Sequence, residues 1–172
     1  TALQFAIKPF WCLGYFTAPR PILANVAHKI AEGSVDIAVL SAYINRQFDP
    51  SIGWPDLEWL AGEWGGPLMI KGILSPDDAA RAKAIGAKAV VISNHGGRQL
   101  DGAAAALDAL PRIADRVGND LELILDGGVR RGTHVLKALA LGAKACMIGR
   151  AYLYGLCAAG EAGVERSLLL LK

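Results

Sequence analysis

The feature that most constrains the fold is a repeated pattern in which a helix ends at glycine and an apolar strand follows. Residues 85–89 read Ile-Gly-Ala-Lys-Ala, and residues 141–145 read Leu-Gly-Ala-Lys-Ala. The offset between them equals two units of about 28 residues, which suits a strand followed by a helix. Strands that alternate with helices form a parallel sheet with right-handed crossovers.

Four apolar runs fit this pattern as strands, at residues 68–70, 89–92, 121–125 and 145–148. They are continuous rather than alternating, as expected for strands buried on both faces. Four strand–helix units make half of an eight-stranded barrel. We therefore predict an α/β fold in which residues 49–172 are the C-terminal half of a (β/α)8 TIM barrel, preceded by an irregular loop/helix segment over residues 1–48.

Capping residues predict where the helices of this half barrel begin and end. Ser75 reads as an N-cap with Pro76 at the first helical position, and Gly86 ends that helix. Asp49-Pro50-Ser51 opens an earlier helix, which ends at residues 64–67. Further helices are predicted over residues 103–117, 133–141, 151–158 and 164–171.

Residues 1–48 contain an aromatic cluster that includes Phe5, Phe10, Trp11, Tyr15 and Phe16. Such a cluster is typical of a segment that dips into a membrane interface, or of one that packs against a domain or subunit outside this chain. A helix is predicted over residues 22–32, where His28 reads as a surface or packing residue. The chain begins with Thr rather than Met, so we expect a processed or excised piece.

Composition excludes several classes of function. The formal charge is +2 over 172 residues, without a block of like charges, which argues against a nucleic-acid partner. The three cysteines lack metal-ligand spacing; no metal site is predicted, and Cys146 reads as a buried thiol in a reducing compartment. We expect no transmembrane helix and no secretory signal. The predicted location is cytoplasmic, or peripheral on the inner face of the cell membrane.

Chemically active residues gather where the strands end: Lys71, Ser93, His95, Asp126 and Arg150. In a parallel barrel the carboxyl ends of the strands form the active-site face. A histidine can move a proton near neutral pH, and the nearby Arg98 offers a planar fork that suits a carboxylate. Lys71 fits a surface lysine, a Schiff-base lysine or a cation beside an electron-accepting ring.

The last two units predict a phosphate site. Glycine turns and arginines stand just before two helices, where backbone N–H groups and the helix dipole favour an anion. The loops after the last two barrel strands are the usual phosphate position. His134, which begins one of these helices, reads as a solvent-facing or capping residue. The residues concerned are Gly127, Gly128, Arg130, Gly149 and Arg150.

The run Ser-Asn-His-Gly-Gly-Arg-Gln-Leu-Asp at residues 93–101 closely resembles the active-site signature of the FMN-dependent α-hydroxy acid oxidases and dehydrogenases. The resemblance continues in order through Ile-Lys-Gly-Ile-Leu at 70–74, Asp-Gly-Gly-Val-Arg-Arg-Gly at 126–132 and Ile-Gly-Arg-Ala at 148–151. Residues 48–51 and 153–156 look closest to the membrane-associated L-lactate and mandelate dehydrogenases. The resemblance implies an FMN flavoprotein that oxidises an L-2-hydroxy acid.

The resemblance also implies a role for each matching residue. His95 would be the base, and Arg98 would bind the substrate carboxylate. Lys71 and Ser93 would lie by the flavin ring, and Asp126 would hydrogen-bond the ribityl chain. The phosphate end would be held by Gly128, Arg130, Gly149 and Arg150, and Gly127 is also expected to bind the cofactor.

The matching region covers only the second half of the family's barrel and the loop before it. We therefore expect this chain to form a homo-oligomer or to pair with the missing half. A membrane surface and a quinone acceptor are further candidate partners, although the sequence leaves the acceptor open between a quinone, a cytochrome and oxygen. Two alternatives stay open: a non-catalytic half barrel that binds FMN or another phosphate ligand or serves as an assembly piece, and a different phosphate-dependent barrel enzyme.

Overall fold

The computed structural model describes residues 7–18 and 37–172. The predicted helix over residues 22–32, with His28, lies outside the described residues, as does Phe5. The chain divides into two compact units, Thr1–Ile52 and Gly53–Lys172, here called the N-terminal and C-terminal units. The boundary predicted between residues 48 and 49 lies a few residues before this division.

Two helices are described in the N-terminal unit, α1 (Pro9–Thr17) and α2 (Ile37–Gln47). Pro9 occupies the first turn of α1, where its missing N–H costs nothing and its fixed φ favours the helix. None of the side chains of α1 is buried. Within the described residues, no helix is both long enough and apolar enough to cross a membrane.

The C-terminal unit alternates strands with helices. It opens with α3 (Trp54–Trp64), in which the Asp56 carboxylate accepts a hydrogen bond from the Gly53 N–H over 2.7 Å. Then follow β1 (Met69–Ile73), α4 (Pro76–Ala84), β2 (Ala89–Ser93), a 3-10 turn (His95–Gly97), α5 (Ala106–Val117), β3 (Glu122–Asp126), α6 (Gly132–Ala140), β4 (Ala145–Met147) and α7 (Arg150–Leu169).

The four strands form one parallel sheet in the order β1-β2-β3-β4, which confirms the predicted α/β fold. Every residue of β2 is buried, as its continuous apolar sequence predicts. Val90 and Ile92 pack into the helix-facing core with Leu110 and Ile113 of α5. Burial of such side chains contributes about 1.5 to 3 kcal/mol each, so β2 and α5 anchor the sheet.

The predicted cap of α4 is present, since Ser75 Oγ accepts from the N–H groups of Asp77 and Asp78. The end of the chain also agrees with prediction. The range labelled α7 contains two helical segments joined at a kink, where Ala159 and Gly160 have non-helical backbone angles. The kink falls between the two predicted helices, 151–158 and 164–171, and Gly160 adopts a φ of +59° there.

Candidate active site

The register of the sheet brings three predicted site residues together. Ser93 at the end of β2 pairs with Asp126 at the end of β3, and Lys71 of β1 pairs with Val91 of β2. Because side chains alternate along a strand, Lys71, Ser93 and Asp126 point to the same face of the sheet. They meet at its carboxyl edge, the side on which all four parallel strands end.

Ser93 is the centre of a hydrogen-bond network with Lys71 and Asp126. Its hydroxyl accepts from Lys71 Nζ over 2.9 Å and from the backbone N–H of His95 over 3.0 Å, and it donates to Asp126 Oδ2 over 2.7 Å. Lys71 Nζ also donates to Asp126 directly. Two accepted bonds and one donated bond use the full capacity of a hydroxyl group. Ser93 is 2% exposed, so these bonds hold a buried hydroxyl group in a fixed position.

The network keeps Asp126 ionised. Burial by itself raises the pKa of this carboxyl, but the hydrogen bonds from Lys71 and Ser93, together with the charges of Lys71 and His95, outweigh burial and hold the pKa below its usual range. A carboxylate and an ammonium group therefore stand side by side at the carboxyl edge.

The chain turns sharply after β2 and presents His95 to solvent. His95 has a φ of +56°, and among the described residues no other non-glycine residue has a positive φ. Gly96 and Gly97 continue in the left-handed region, at +67° and +70°. Asn94 holds the turn: its side chain accepts from Gly97 N–H over 3.2 Å and donates to the Ala104 carbonyl over 3.2 Å. Such left-handed backbone at a polar turn is typical of functional sites.

A cleft of about 320 Å³ lies between this turn and the loop after β3. Arg150, the first residue of α7, reaches across it and donates from Nη2 to the Gly96 carbonyl over 2.5 Å. The N-terminus of α6 opens beside it. We call this space the anion cleft; the glycines and basic side chains that line it are Gly127, Gly128, Arg130, His134, Lys137 and Arg150.

The structure thus collects most of the predicted site residues in two neighbouring groups. Two of them stand apart. Gly149 is the N-cap of α7 and is not among the residues that line the cleft. Arg98 is exposed, and within the described part of the chain its guanidinium forms no ion pair.

Three residues of this region were not predicted as site residues. Asn94 stands beside His95 in sequence, and asparagine is a frequent turn-forming residue, so its role could have been read from the motif. His134 was predicted only as a capping or solvent-facing residue. Lys137 lies about one turn into α6, after Gly132 and Thr133, and nothing in the sequence around it indicates that it lines a site.

The whole chain, residues 1–172, matches the sequence model of a family described as FMN-dependent dehydrogenase. The chain belongs to the FMN-dependent dehydrogenase family. This confirms the predicted family and the FMN dependence that characterises it. Membership favours an enzyme over the non-catalytic half barrel that the sequence had left open.

Relatives within the FMN-dependent dehydrogenase family support the assignment along nearly the full chain. The L-lactate dehydrogenase of Caulobacter vibrioides is 49% identical over 171 residues, which cover 98% of this chain and 44% of that protein. The L-lactate oxidase of a Nostoc species is 52% identical over 169 residues, 98% of this chain and 44% of that protein.

A solved structure of a member of the family has the same fold. The monotopic membrane protein (S)-mandelate dehydrogenase superposes with a TM-score of 0.85 at 41% identity, covering 99% of this chain and 44% of that one. The chain thus spans less than half the length of the relatives that it matches. This agrees with the prediction that its four strand–helix units are one half of a barrel.

Proposed function

We propose that this chain carries the catalytic half of an FMN-dependent enzyme that oxidises an L-2-hydroxy acid, lactate-like or mandelate-like, to the 2-oxo acid. The observation that supports it most is the carboxyl edge itself. A lysine–carboxylate pair, bonded through Ser93, stands next to an anion cleft on the face where barrel enzymes hold their active sites, and the N–H of His95 bonds the same Ser93.

The residues present fit FMN. The anion cleft offers glycine turns, the N-terminus of α6 and the side chains of Arg130 and Arg150, a donor set that suits a phosphate. Lys71, Ser93 and Asp126 lie on the neighbouring strands, where they would contact the polar edge of the flavin ring and the ribityl hydroxyls. FMN, when bound, would accept the two electrons that leave the substrate.

His95 and Arg98 would handle the substrate. Oxidation of a 2-hydroxy acid removes two electrons and two protons from the carbon and its hydroxyl group. The exposed His95 would accept one of these protons, and the planar fork of Arg98 would bind the carboxylate in a bidentate manner. The Ser93 hydroxyl, bonded to the His95 N–H, would hold the base at a fixed distance from Lys71.

Substitution of these two residues tests the assignment. We expect His95→Ala to lower turnover about 10²- to 10⁴-fold while FMN stays bound, because only the proton acceptor is lost. Arg98→Lys keeps the charge but loses the fork, so KM for the hydroxy acid should rise more than kcat falls. A His95→Ala enzyme with unchanged turnover and bound FMN would show that His95 is not the base.

Within the described part of the chain, β1 and β4 are the edge strands of the sheet, and each is paired on one side only. Open sheet edges bind other strands readily, and a closed barrel has none. We propose that β1 and β4 pair with the other half of the barrel, or with a second copy of this chain. Size-exclusion chromatography with light scattering measures the mass, and a stable monomer of 18.1 kDa would contradict this proposal.

We further propose that α1 seats the protein on the inner face of a membrane. Its apolar side chains point to all sides, and Phe10 and Phe16 are 88% and 81% exposed. Trp11 stacks on Tyr15 with ring centroids 5.5 Å apart, which makes a compact aromatic surface without a charge inside the helix. A short aromatic helix of this kind suits the lipid interface, where a quinone would be the natural electron acceptor.

Vesicle binding tests the membrane proposal. The chain should co-sediment with vesicles that contain anionic lipid, and the double variant Phe10→Asp/Phe16→Asp should stay in the supernatant. Leu136→Asp provides the matched control, since Leu136 is also exposed, at 66%, but lies in α6. Equal sedimentation of the α1 variant and the unsubstituted chain would contradict the proposal, as would equal loss in the Leu136 control.

A further inference from the structure

We propose that His134 is a positioning residue for the phosphate end of the cofactor, acting through the backbone of the loop before α6. The inference rests on the proposed function, because it concerns how this chain would hold FMN. Nδ1 of His134 accepts a hydrogen bond from the backbone N–H of Arg130 over 3.3 Å. His134 thereby ties the first turn of α6 to the loop that lines the anion cleft.

The position of His134 in α6 explains why it can reach back. Gly132 begins the helix, so His134 is the third helical residue, the position from which a side chain commonly caps the backbone before the helix. Its own backbone N–H donates to the Arg131 carbonyl over 3.0 Å, which closes the turn. Arg131, the N-cap, makes no side-chain cap bond, and the imidazole instead bonds the N–H of the preceding residue, Arg130, which ties the start of α6 to the loop before it.

The loop between β3 and α6, which His134 contacts, contains two consecutive glycines. Gly127 and Gly128 have φ values of +120° and +73°, and glycine loses more conformational freedom on ordering than any other residue. Arg130 follows after Val129, and it lines the cleft together with other basic residues. An acceptor on the Arg130 N–H fixes the loop before an anion arrives, which lowers the entropy cost of binding.

The same bond sets the chemical requirement at position 134. The imidazole accepts at Nδ1, so its hydrogen stands on Nε2 and the side chain acts here as an acceptor rather than as a cation. A carboxylate at this position would accept equally well, and it is favoured at a helix N-terminus. Asp56 makes a similar bond at the start of α3, where it accepts from the N–H of the N-cap Gly53, and it is not among the residues that line the cleft.

The experiment compares the affinities of FMN and riboflavin, which differ only in the phosphate, by quenching of flavin fluorescence on the 172-residue chain. We expect His134→Ala to lower the preference for FMN over riboflavin roughly three- to tenfold, the effect of one positioned hydrogen bond. His134→Asp should retain the preference of the unsubstituted chain. Asp56→Ala, which loses a similar side-chain bond at the start of another helix, should lose comparable stability in urea but keep the preference.

Each outcome bears on the inference. An unchanged preference in His134→Ala would overturn it and leave the proposed function standing. A loss in His134→Asp as large as in His134→Ala would also overturn it, because His134 would then act as a donor or cation. If the unsubstituted chain binds neither flavin, the proposed function fails for this chain alone. In that case, inorganic phosphate is added and the amide NMR shifts of residues 128–131 are followed in the unsubstituted chain and in both His134 variants. Shifts that disappear in His134→Ala alone support the inference. If phosphate shifts none of these amides in the unsubstituted chain, the inference is overturned.

Discussion

The two parts of the carboxyl edge are built by different means. Between β1 and β3, side chains hold one another: Lys71, Ser93 and Asp126 form a closed network whose geometry follows from strand register. Between β3 and α7, mainly backbone groups define the site: glycines in the left-handed region, helix N-termini, and the Gly96 carbonyl that accepts from Arg150. The side-chain network suits a reaction that needs charges in fixed positions, and the backbone-built part suits the binding of an anion.

The largest effect should come from the centre of the network. We expect Ser93→Ala to destabilise the chain by about 1 to 3 kcal/mol, because the N–H of His95, Lys71 Nζ and Asp126 each lose a buried partner. Urea unfolding measures the change. Ser51→Ala is the matched control, since its hydroxyl bonds Asp49 over 2.6 Å at an exposed site, and it should cost less than about 0.5 kcal/mol. An equal loss of unfolding free energy in the two variants would show that the buried network stabilises the chain no more than a surface hydrogen bond does.

An intermediate effect should follow from substitution in the backbone-built part. Gly96→Ala and Gly128→Ala both place a side chain at a positive φ, +67° and +73°, at a cost of about 1 to 2 kcal/mol each. A Cβ at Gly96 would also stand 2.2 Å from Arg150 Nη2, whereas one at Gly128 would meet nothing within 4 Å. The Arg150 side chain can yield, so the two variants should be equally destabilised in urea. A much larger cost for Gly96→Ala would show that Arg150 is held rigidly.

Acidification should weaken the network. The pKa of Asp126 is lowered in the folded chain relative to about 3.9 in the unfolded chain, so the unfolded state takes up protons first as the pH falls. The stability that Asp126 contributes is present above about pH 4 and is lost as the pH falls through its lower folded pKa. Unfolding free energies at a series of pH values should therefore decline less steeply for Asp126→Asn. An identical acid decline in both proteins would contradict this role.

The smallest effect should come from an ion pair outside the site. Lys83 Nζ lies 2.8 Å from Asp120 Oδ2, but the two side chains are 50% and 45% exposed. Lys83→Ala should cost less than about 1 kcal/mol, and the difference should vanish in molar salt. Lys71→Met, which removes the cation from a carboxylate that is only 16% exposed, should cost more and respond less to salt. The reverse order would contradict the account of the Lys71–Asp126 pair.

The helices and strands could be predicted where a local sequence pattern determines them. Continuous apolar runs located all four strands, and Ser75 located the start of α4. A break in the closing helical region was also predicted, between residues 158 and 164, and the structure has its kink there, at Ala159 and Gly160.

The site could be predicted as a set of strand-end residues, but its connections could not. The central place of Ser93 depends on register across three strands, and the contact of Arg150 with Gly96 joins residues that are far apart in sequence. The bond from the Arg130 N–H to His134 Nδ1 is local, but the usual sequence signal for a side chain that reaches back from the third helical position is Glu or Gln. The motifs indicated what each side chain can do chemically, whereas the residues that it contacts depend on how the strands pair in the sheet.

The measurement that tests the central claim most directly is the visible absorption spectrum of the purified chain with FMN, before and after anaerobic addition of L-lactate or L-mandelate. We predict that the chain, paired through its open strands, retains a flavin spectrum and that one of the two hydroxy acids bleaches it. A chain that retains FMN and is bleached by neither acid would contradict the proposed oxidation. A colourless chain would show that these residues alone do not hold the cofactor.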